Sequence, residues 1–366
     1  ATNINGVHGN KTNIDKVAGM QANINALAPL DTEIGALGGI TDEMEALYAQ
    51  LPTIAQKENV ANKITSWGSD PTDTEYPSAK LVHTGLLAFE KDINILLRRS
   101  GLLGYVSPGG WDEIADITQQ GDMHLYYDEG DEFQTALKFG NDWVPAIVRI
   151  IGLNKDKLVR DSSAPSTTFE FKDILWRQSF DSAEPNNSDN NRKNYGNNNW
   201  GWSNLRQYLN SENLTFVYGA KHPADAPPDN DDADSLAVYE GPGFLARLDP
   251  ELASVIAPVK KWTALNTAVD GGGAVETEER VFLLSRKEVG LGDEGTVTNE
   301  FVYNFYNGAV NADRIKLEAS GSAYHWWLRS PTVSHSINVR RVLAAGSLNI
   351  NSARYSNGVA PAFVIG

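Results

Sequence analysis

The segment from Thr332 to Asn357 concentrates side chains suited to binding rather than to bond making. It carries Ser334, His335, Ser336, Asn338, Arg340, Arg341, Ser347, Asn349, Asn351, Ser352, Arg354 and Tyr355. All of them donate or accept hydrogen bonds, and Arg and Tyr add contact area, as binding anchors commonly do. Ser336, Asn338 and Arg340 alternate with Ile337 and Val339, and Ser347, Asn349 and Asn351 alternate with Leu348 and Ile350. Period two predicts strands whose apolar set points inward and whose polar set forms one solvent face on a rigid frame. An ordinary solvated strand face has the same pattern. No Asp or Glu follows Glu318, while Arg329, Arg340, Arg341 and Arg354 do. The face is therefore expected to be locally basic and to favour an anionic partner.

Catalytic and metal chemistry have weaker signals. The chain has no cysteine, which excludes disulfides, thiolate catalysis, thiolate zinc sites and iron–sulfur clusters. Its six histidines, His8, His83, His124, His222, His325 and His335, show no metal-ligand spacing such as HExxH. Gly290 to Gly295 reads GLGDEG and matches GxGxxG, but Asp293 and Glu294 would repel a pyrophosphate, and no helix start follows. Asp229, Asp231 and Glu240 take the first, third and twelfth places of a calcium loop; Ala233 and Asp234 then stand where an oxygen ligand and a glycine are needed. The 47 carboxylates leave many acid–base pairs open, as a glycan depolymerase would need, but no local feature favours one. The expectation is a protein that is not an enzyme, with no cofactor and no metal.

Several elements must position these residues. WDEIADITQQG, from Trp111, reads as a helix closed by Gly121. AIVRIIGL, Ala146 to Leu153, is a β-branched run typical of a buried strand. Ser203 before NLRQYLNSE, and Asp249-Pro250 before ELASVIAPV, are helix starts. RVFLLSRKEV, Arg280 to Val289, reads as a strand, and INVRRVL, GSLNINSARY and VAPAFVI give three more. Trp326 and Trp327 read as scaffold, since neighbouring large rings usually anchor a core. Two polar insertions, Asp181 to Asn199 and His222 to Ser235, read as surface excursions, and the stretches Asp181 to Asn199 and Asp229 to Asp234, which lack apolar anchors, are expected not to be needed for folding. The sum is an α+β domain over 101–366.

Upstream, the first sixty residues repeat every ten. Ile4, Ile14, Ile24, Ile34, Met44 and Ile54 share one place in the repeat, and Val7, Val17, Leu27, Leu37 and Leu47 another. Ten residues in three turns is about 3.3 per turn, which predicts left-handed wrapping. The stripe needs copies of itself to bury against, so an oligomerisation stem is expected over 1–63. Its early lines hold many Asn and Gly, so a coiled coil and a β-rich shaft both fit. A linker and helix follow over 64–100.

With 41% hydrophobic and 21% charged residues, the composition is that of an ordinary globular protein. A net charge of −16 argues against nucleic acid as a partner. No apolar run reaches the roughly 18 residues of a membrane span, so no membrane insertion is expected. The first residues lack the layout of a signal peptide, so a route out of a cell other than that signal is expected.

The repeated NIxxVAG pattern resembles the stems of phage tail fibres, and ITSWGSDPTDTEYPSAKLVHTGL, Ile64 to Leu86, resembles a module of phage tail and baseplate-attached proteins. GWSNLRQYLNSE, GFLARLDPEL, RVFLLSRKEVG, AYHWWLRSP and GVAPAFVIG occur in the order of landmarks of an uncharacterised domain family of gut bacteria and their phages. The usual form of the last motif has Arg where this chain has Ala360. That family resembles the C-type-lectin-like fold of formylglycine-generating enzymes and of the variable proteins of diversity-generating retroelements. The resemblance implies a C-type-lectin-like domain on a fibrous stem, with variation concentrated after the WW motif. It implies a homotrimeric receptor-binding adhesin at the virion tail tip, extracellular after release. Its partners would be a host bacterial surface protein or glycan and other tail or baseplate proteins. A tail-associated glycan depolymerase and a structural baseplate or fibre connector are the alternatives.

Overall fold

A computed structural model of the protein describes residues 110–229 and 235–366. The expected stem over 1–63, the linker and helix over 64–100, and Asp231, Ala233 and Asp234 of the candidate calcium loop lie outside them. Local signals set the first elements. Helix α1, Gly110–Gln120, buries Trp111, Ile114 and Ala115 on one face and stops at Gly121, where φ is +81°. A short α2, Met123–Tyr126, leads into an antiparallel hairpin of β1, Glu132–Phe139, and β2, Asp142–Leu153. Next come β3, Thr167–Phe171, β4, Trp176–Ser179, and α3, Asn190–Tyr195. Helix α4, Asn204–Leu209, starts where the Ser203 hydroxyl accepts from the Arg206 N–H at 3.2 Å. After α5, Phe244–Arg247, helix α6, Pro250–Val255, starts where Asp249 accepts from the Glu251 N–H at 3.0 Å. Both predicted helix starts are observed.

The second half is strand-rich: β5, Val259–Ala264, β6, Ala274–Glu279, β7, Val281–Phe282, β8, Lys316–Leu317, and β9, Ala323–Tyr324. It ends with β10, Trp326–Pro331, β11, Asn338–Val342, β12, Leu348–Ser352, β13, Ser356–Val359, and β14, Ala362–Ile365. The strands form two five-stranded sheets, ordered β1-β2-β3-β14-β7 and β12-β11-β10-β13-β4, and two small pairs, β5-β6 and β8-β9. The architecture is α+β, as expected. Two strand predictions need correction. RVFLLSRKEV pairs only at Val281–Phe282, because Ser285 and Glu288 then exchange hydrogen bonds and close a turn: Ser285 N donates to Glu288 Oε2 at 2.8 Å, and Glu288 N to Ser285 Oγ at 3.1 Å. VAPAFVI is two strands in different sheets, because the chain crosses between sheets at Ala360 and Pro361.

The core joins aromatic rings from distant segments. Phe169 stacks on Phe363 with centroids 5.5 Å apart, and Trp111 meets Phe169 edge-on at 5.8 Å. Trp326 and Trp327 are fully buried, and each indole N–H finds a main-chain oxygen at 2.9 Å, on Arg314 and Gln178 respectively. Beside them lies a buried ion network. Arg329 donates to both oxygens of Glu288, to Glu300 at 3.2 Å, to Thr263 Oγ1 and to the main-chain oxygens of Leu283 and Trp262. No helix among the described residues is long and apolar enough to cross a membrane.

Two measurements check this packing. Trp326→Ala should lower unfolding stability by about 3–5 kcal/mol, since it removes a fully buried ring; chemical denaturation reads it. The second concerns pH. Burial alone would raise the Glu288 carboxyl, but Arg329 and Lys261 hold it down at about 2. Its contribution is therefore complete above its ordinary value of 4.5 and is lost as pH falls toward about 2. Glu288→Gln should be less stable than wild type at pH 7, yet lose less further stability across that acid window.

Candidate functional site

The register of the β11–β12 hairpin divides the predicted residues. Asn338 stands opposite Ser352, Arg340 opposite Ile350 and Val342 opposite Leu348; Val339 stands opposite Asn351 and Arg341 opposite Asn349. Cross-strand partners share a face. Asn338 and Arg340 therefore lie with Ile350 and Ser352, while Asn349 and Asn351 lie on the other face with Val339 and Arg341. The single polar face expected from alternation is not formed. In the connecting turn Gly346 has φ +81°, and a Cβ there would clash with the Asn311 main-chain oxygen. Ser347 lies in that turn, at the end of the hairpin away from Tyr355.

The basic patch is also corrected. Glu294 accepts from Arg340 at 2.5 and 3.1 Å and from Arg286 at 2.9 Å. Burial would raise the Glu294 carboxyl, but these hydrogen bonds hold it below the usual range. Arg329 is buried on Glu288 and Glu300. Arg341 is half-buried and donates to Asn357 Oδ1 at 2.8 Å. Acids supplied earlier in the chain thus pair with Arg329 and Arg340, while Arg341 and Arg354 donate to neutral groups. Ser336, expected to face solvent, is buried, with its main-chain oxygen accepting from Arg192 Nε at 3.2 Å.

Of the expected residues that remain exposed, Asn349 stands on β12 toward the Ser347 turn, while Ser334, His335 and Tyr355 lie at the other end of the second sheet. Ser334 and His335 are exposed in the turn between β10 and β11, with Ser334 Oγ 2.9 Å from His335 Nδ1. The β12–β13 turn lies beside it, joined by Ala353 N to the Ile337 oxygen at 2.9 Å. That turn carries Arg354 and Tyr355. Arg354 donates from its main-chain N to the Tyr195 oxygen at 3.0 Å and from Nη1 to the Asn194 oxygen at 3.4 Å. Tyr355, 47% exposed, and Tyr195, 38% exposed, have ring centroids 6.2 Å apart. Tyr195 was not among the residues expected from sequence. It ends α3, inside the polar insertion that reads as an excursion, and only its being an aromatic in an Asn-rich run hints at a role.

That insertion is not an excursion. Asp181, Glu184, Arg192, Asn197, Asn198 and Asn199 are all buried. Asp181 accepts from the N–H and Nδ2 of Asn197 at 3.0 and 2.9 Å and from Asn204 N at 3.0 Å. Burial pushes the Asp181 carboxyl well up, and Glu184 and Asp225 push it the same way. Arg192 pairs with Asp270 at 2.6 Å. Asn198 Nδ2 donates to the oxygens of His335 at 2.7 Å and Asn338 at 2.9 Å, while Asn198 Oδ1 accepts from Asn266 at 2.8 Å. Polar side chains thus anchor the loop without apolar residues, so the expectation that it is dispensable for folding is withdrawn.

Other motifs resolve simply. GLGDEG forms turns with positive φ at Gly290, Gly292 and Gly295; Asp293 pairs with Lys287 and Glu294 with the two arginines. Among the described residues, Glu184, His222 and Asp225 bring three potential metal-ligand atoms within 4.8 Å of one another. His222 Nε2 lies 2.9 Å from Glu184 Oε1, which also accepts from Asn197 Nδ2 at 2.5 Å. Spacing along the chain could not reveal that group, since 38 residues separate Glu184 from His222.

A family model described as a domain of unknown function (DUF6273) matches residues 166–366. No curated protein and no solved structure matches the chain.

The geometry makes Asn198 the clip between the loop and the β10–β11 turn. Asn198→Ala should cost about 1–3 kcal/mol by leaving buried carbonyls without donors. Amide hydrogen exchange should show lost protection over 190–199 and 333–338, with protection in β1–β3 unchanged.

Proposed function

The chain belongs to the DUF6273 family, whose match covers more than half of it, and we propose that it is a phage tail-tip adhesin that binds a host bacterial surface protein or glycan. The observation that carries this reading is how the exposed cluster is held. Ser334, His335, Tyr355 and Tyr195 stand on segments fastened through the main-chain atoms of those segments: the His335 and Asn338 oxygens accept from the buried Asn198 side chain, Arg354 N donates to the Tyr195 oxygen, and Ala353 N to the Ile337 oxygen. Side chains on such a frame can change type without undoing it. A receptor face that varies between relatives needs this property, and so does a segment diversified by a retroelement.

The side-chain chemistry agrees. Two exposed tyrosines offer flat apolar faces with hydroxyl rims, and Asn, Ser and His around them offer directed hydrogen bonds. With Arg340 paired to Glu294, the polar chemistry of the face comes from these groups and from Arg354, and it suits a glycan or a protein epitope. A C-type-lectin-like fold is supported by the antiparallel pairing of the last strand, β14, with β3, and by the placement of the face on a second sheet. The ten-residue repeat supports a homotrimeric stem, which would add avidity to individually weak faces.

The test is adsorption of the full chain to host cells. The double variant Tyr195→Ala, Tyr355→Ala should bind more than about tenfold more weakly, the loss typical of a binding hot spot. Its stability should stay within about 0.5 kcal/mol of wild type, as for other exposed positions. Wild-type binding by a folded double variant would place the receptor face elsewhere.

A further inference from the structure

Two lysines are buried among the described residues, and their surroundings differ. Lys316 Nζ donates to Glu170 Oε2 at 2.9 Å and to the main-chain oxygens of Phe171 at 2.6 Å and Lys172 at 3.0 Å, as a structural ammonium does. Lys261, on β5, meets only side chains. Its Nζ contacts Asp156 Oδ1, lies 3.1 Å from Glu288 Oε1 and 2.6 Å from the Tyr303 hydroxyl, and sits 3.9 Å from the centre of the Phe282 ring. Asp156 Oδ2 accepts from Thr168 Oγ1 at 2.5 Å and from the Tyr303 hydroxyl at 2.7 Å. An amine, a carboxyl group and a second carboxylate are therefore enclosed together against aromatic rings.

We propose that Lys261 and Asp156 condense into an intramolecular isopeptide bond, with Glu288 as the proton carrier. A proton first passes from the Lys261 ammonium to Asp156 Oδ1, with which it is in direct contact. The Nζ lone pair then attacks Cγ of Asp156 and forms the N–C bond. Negative charge develops on Oδ2, where the Thr168 and Tyr303 hydroxyls already donate. One proton leaves the nitrogen for Glu288 and passes from there to the Oδ1 hydroxyl. The C–Oδ1 bond breaks and water departs. Glu288 ends as it began, and an ammonium and a carboxylate have become an amide and one water, with no oxidant or co-reactant. Arg329 holds Glu288 ionised and in place between steps. The fold keeps the reacting groups together permanently, so a slow reaction can run to completion. The product ties the segment after β2 to β5 covalently in a chain that has no cysteine for a disulfide.

The experiment is intact-mass measurement of the denatured full chain, followed by tandem mass spectrometry of its peptides. The expected mass is that of the sequence less one water, with the peptide containing Asp156 joined to the peptide containing Lys261. Lys261→Arg keeps the positive charge but lacks the amine, and should restore the full sequence mass. A wild-type mass equal to the sequence mass overturns the proposal and leaves the pair as ions; this reading stands even if the variant does not fold. A missing water that persists in Lys261→Arg, or that maps to a succinimide elsewhere, also overturns it.

Discussion

Arg329 is the constraint on which this domain depends. A guanidinium keeps its charge inside a protein, so a fully buried one must have its donors met. Arg329 meets them from four parts of the chain: Thr263 and Trp262 on β5, Leu283 just after β7, Glu288 in the next turn, and Glu300 beyond it. The turn at Ser285–Glu288, which ends the expected long strand, places Glu288 where Arg329 requires it. Arg329 itself belongs to β10, the strand of Trp326 and Trp327 and the centre of the second sheet. Satisfying one charge thus fixes the strand from which the candidate face is built. A second buried network, Glu170 with Arg149, Lys316 and Tyr306, does the same for the first sheet.

The polar insertion extends the same logic without net charge. Asn is a useful anchor because one side chain offers two donors and an acceptor. Asn198 uses both kinds at once, giving to two main-chain oxygens and receiving from Asn266. Fully satisfied buried amides specify a single arrangement, because any other leaves polar groups unpaired. The loop can therefore be almost free of apolar residues and still be part of the interior. Its one exposed aromatic, Tyr195, is delivered to Tyr355 by this polar packing and not by a hydrophobic one.

Rigidity beneath and freedom above are then compatible. The bonds that fasten the exposed turns run largely through main-chain atoms, which every residue type possesses. The side chains that reach solvent carry few structural duties, whereas the Arg340 and Arg341 side chains, from the same segment, are engaged with Glu294 and Asn357, and the Ser336 main-chain oxygen accepts from Arg192. The candidate face is consequently smaller than the segment suggests, and it is shared with a loop more than a hundred residues upstream.

Read alone, the sequence determined what local chemistry decides. Ser203 and Asp249 mark helix starts because a side-chain oxygen beside a free N–H is a matter of adjacent residues. Gly121 marks a helix end because only its own backbone must adopt positive φ. The strands near the end of the chain, the α+β class and the burial of Trp326 and Trp327 were legible for similar reasons. Only the tertiary structure decided which polar residues are inside. Asp181 and Asn197 look like solvent residues until distant partners close around them, and Arg340 looks free until Glu294 reaches it. Register was equally hidden, since alternation within each strand is the same whichever residue stands opposite, and a shift of one position exchanges the faces. A side chain's type limits the partners it can accept, but folding alone brings those partners within about 3 Å, where hydrogen bonds form.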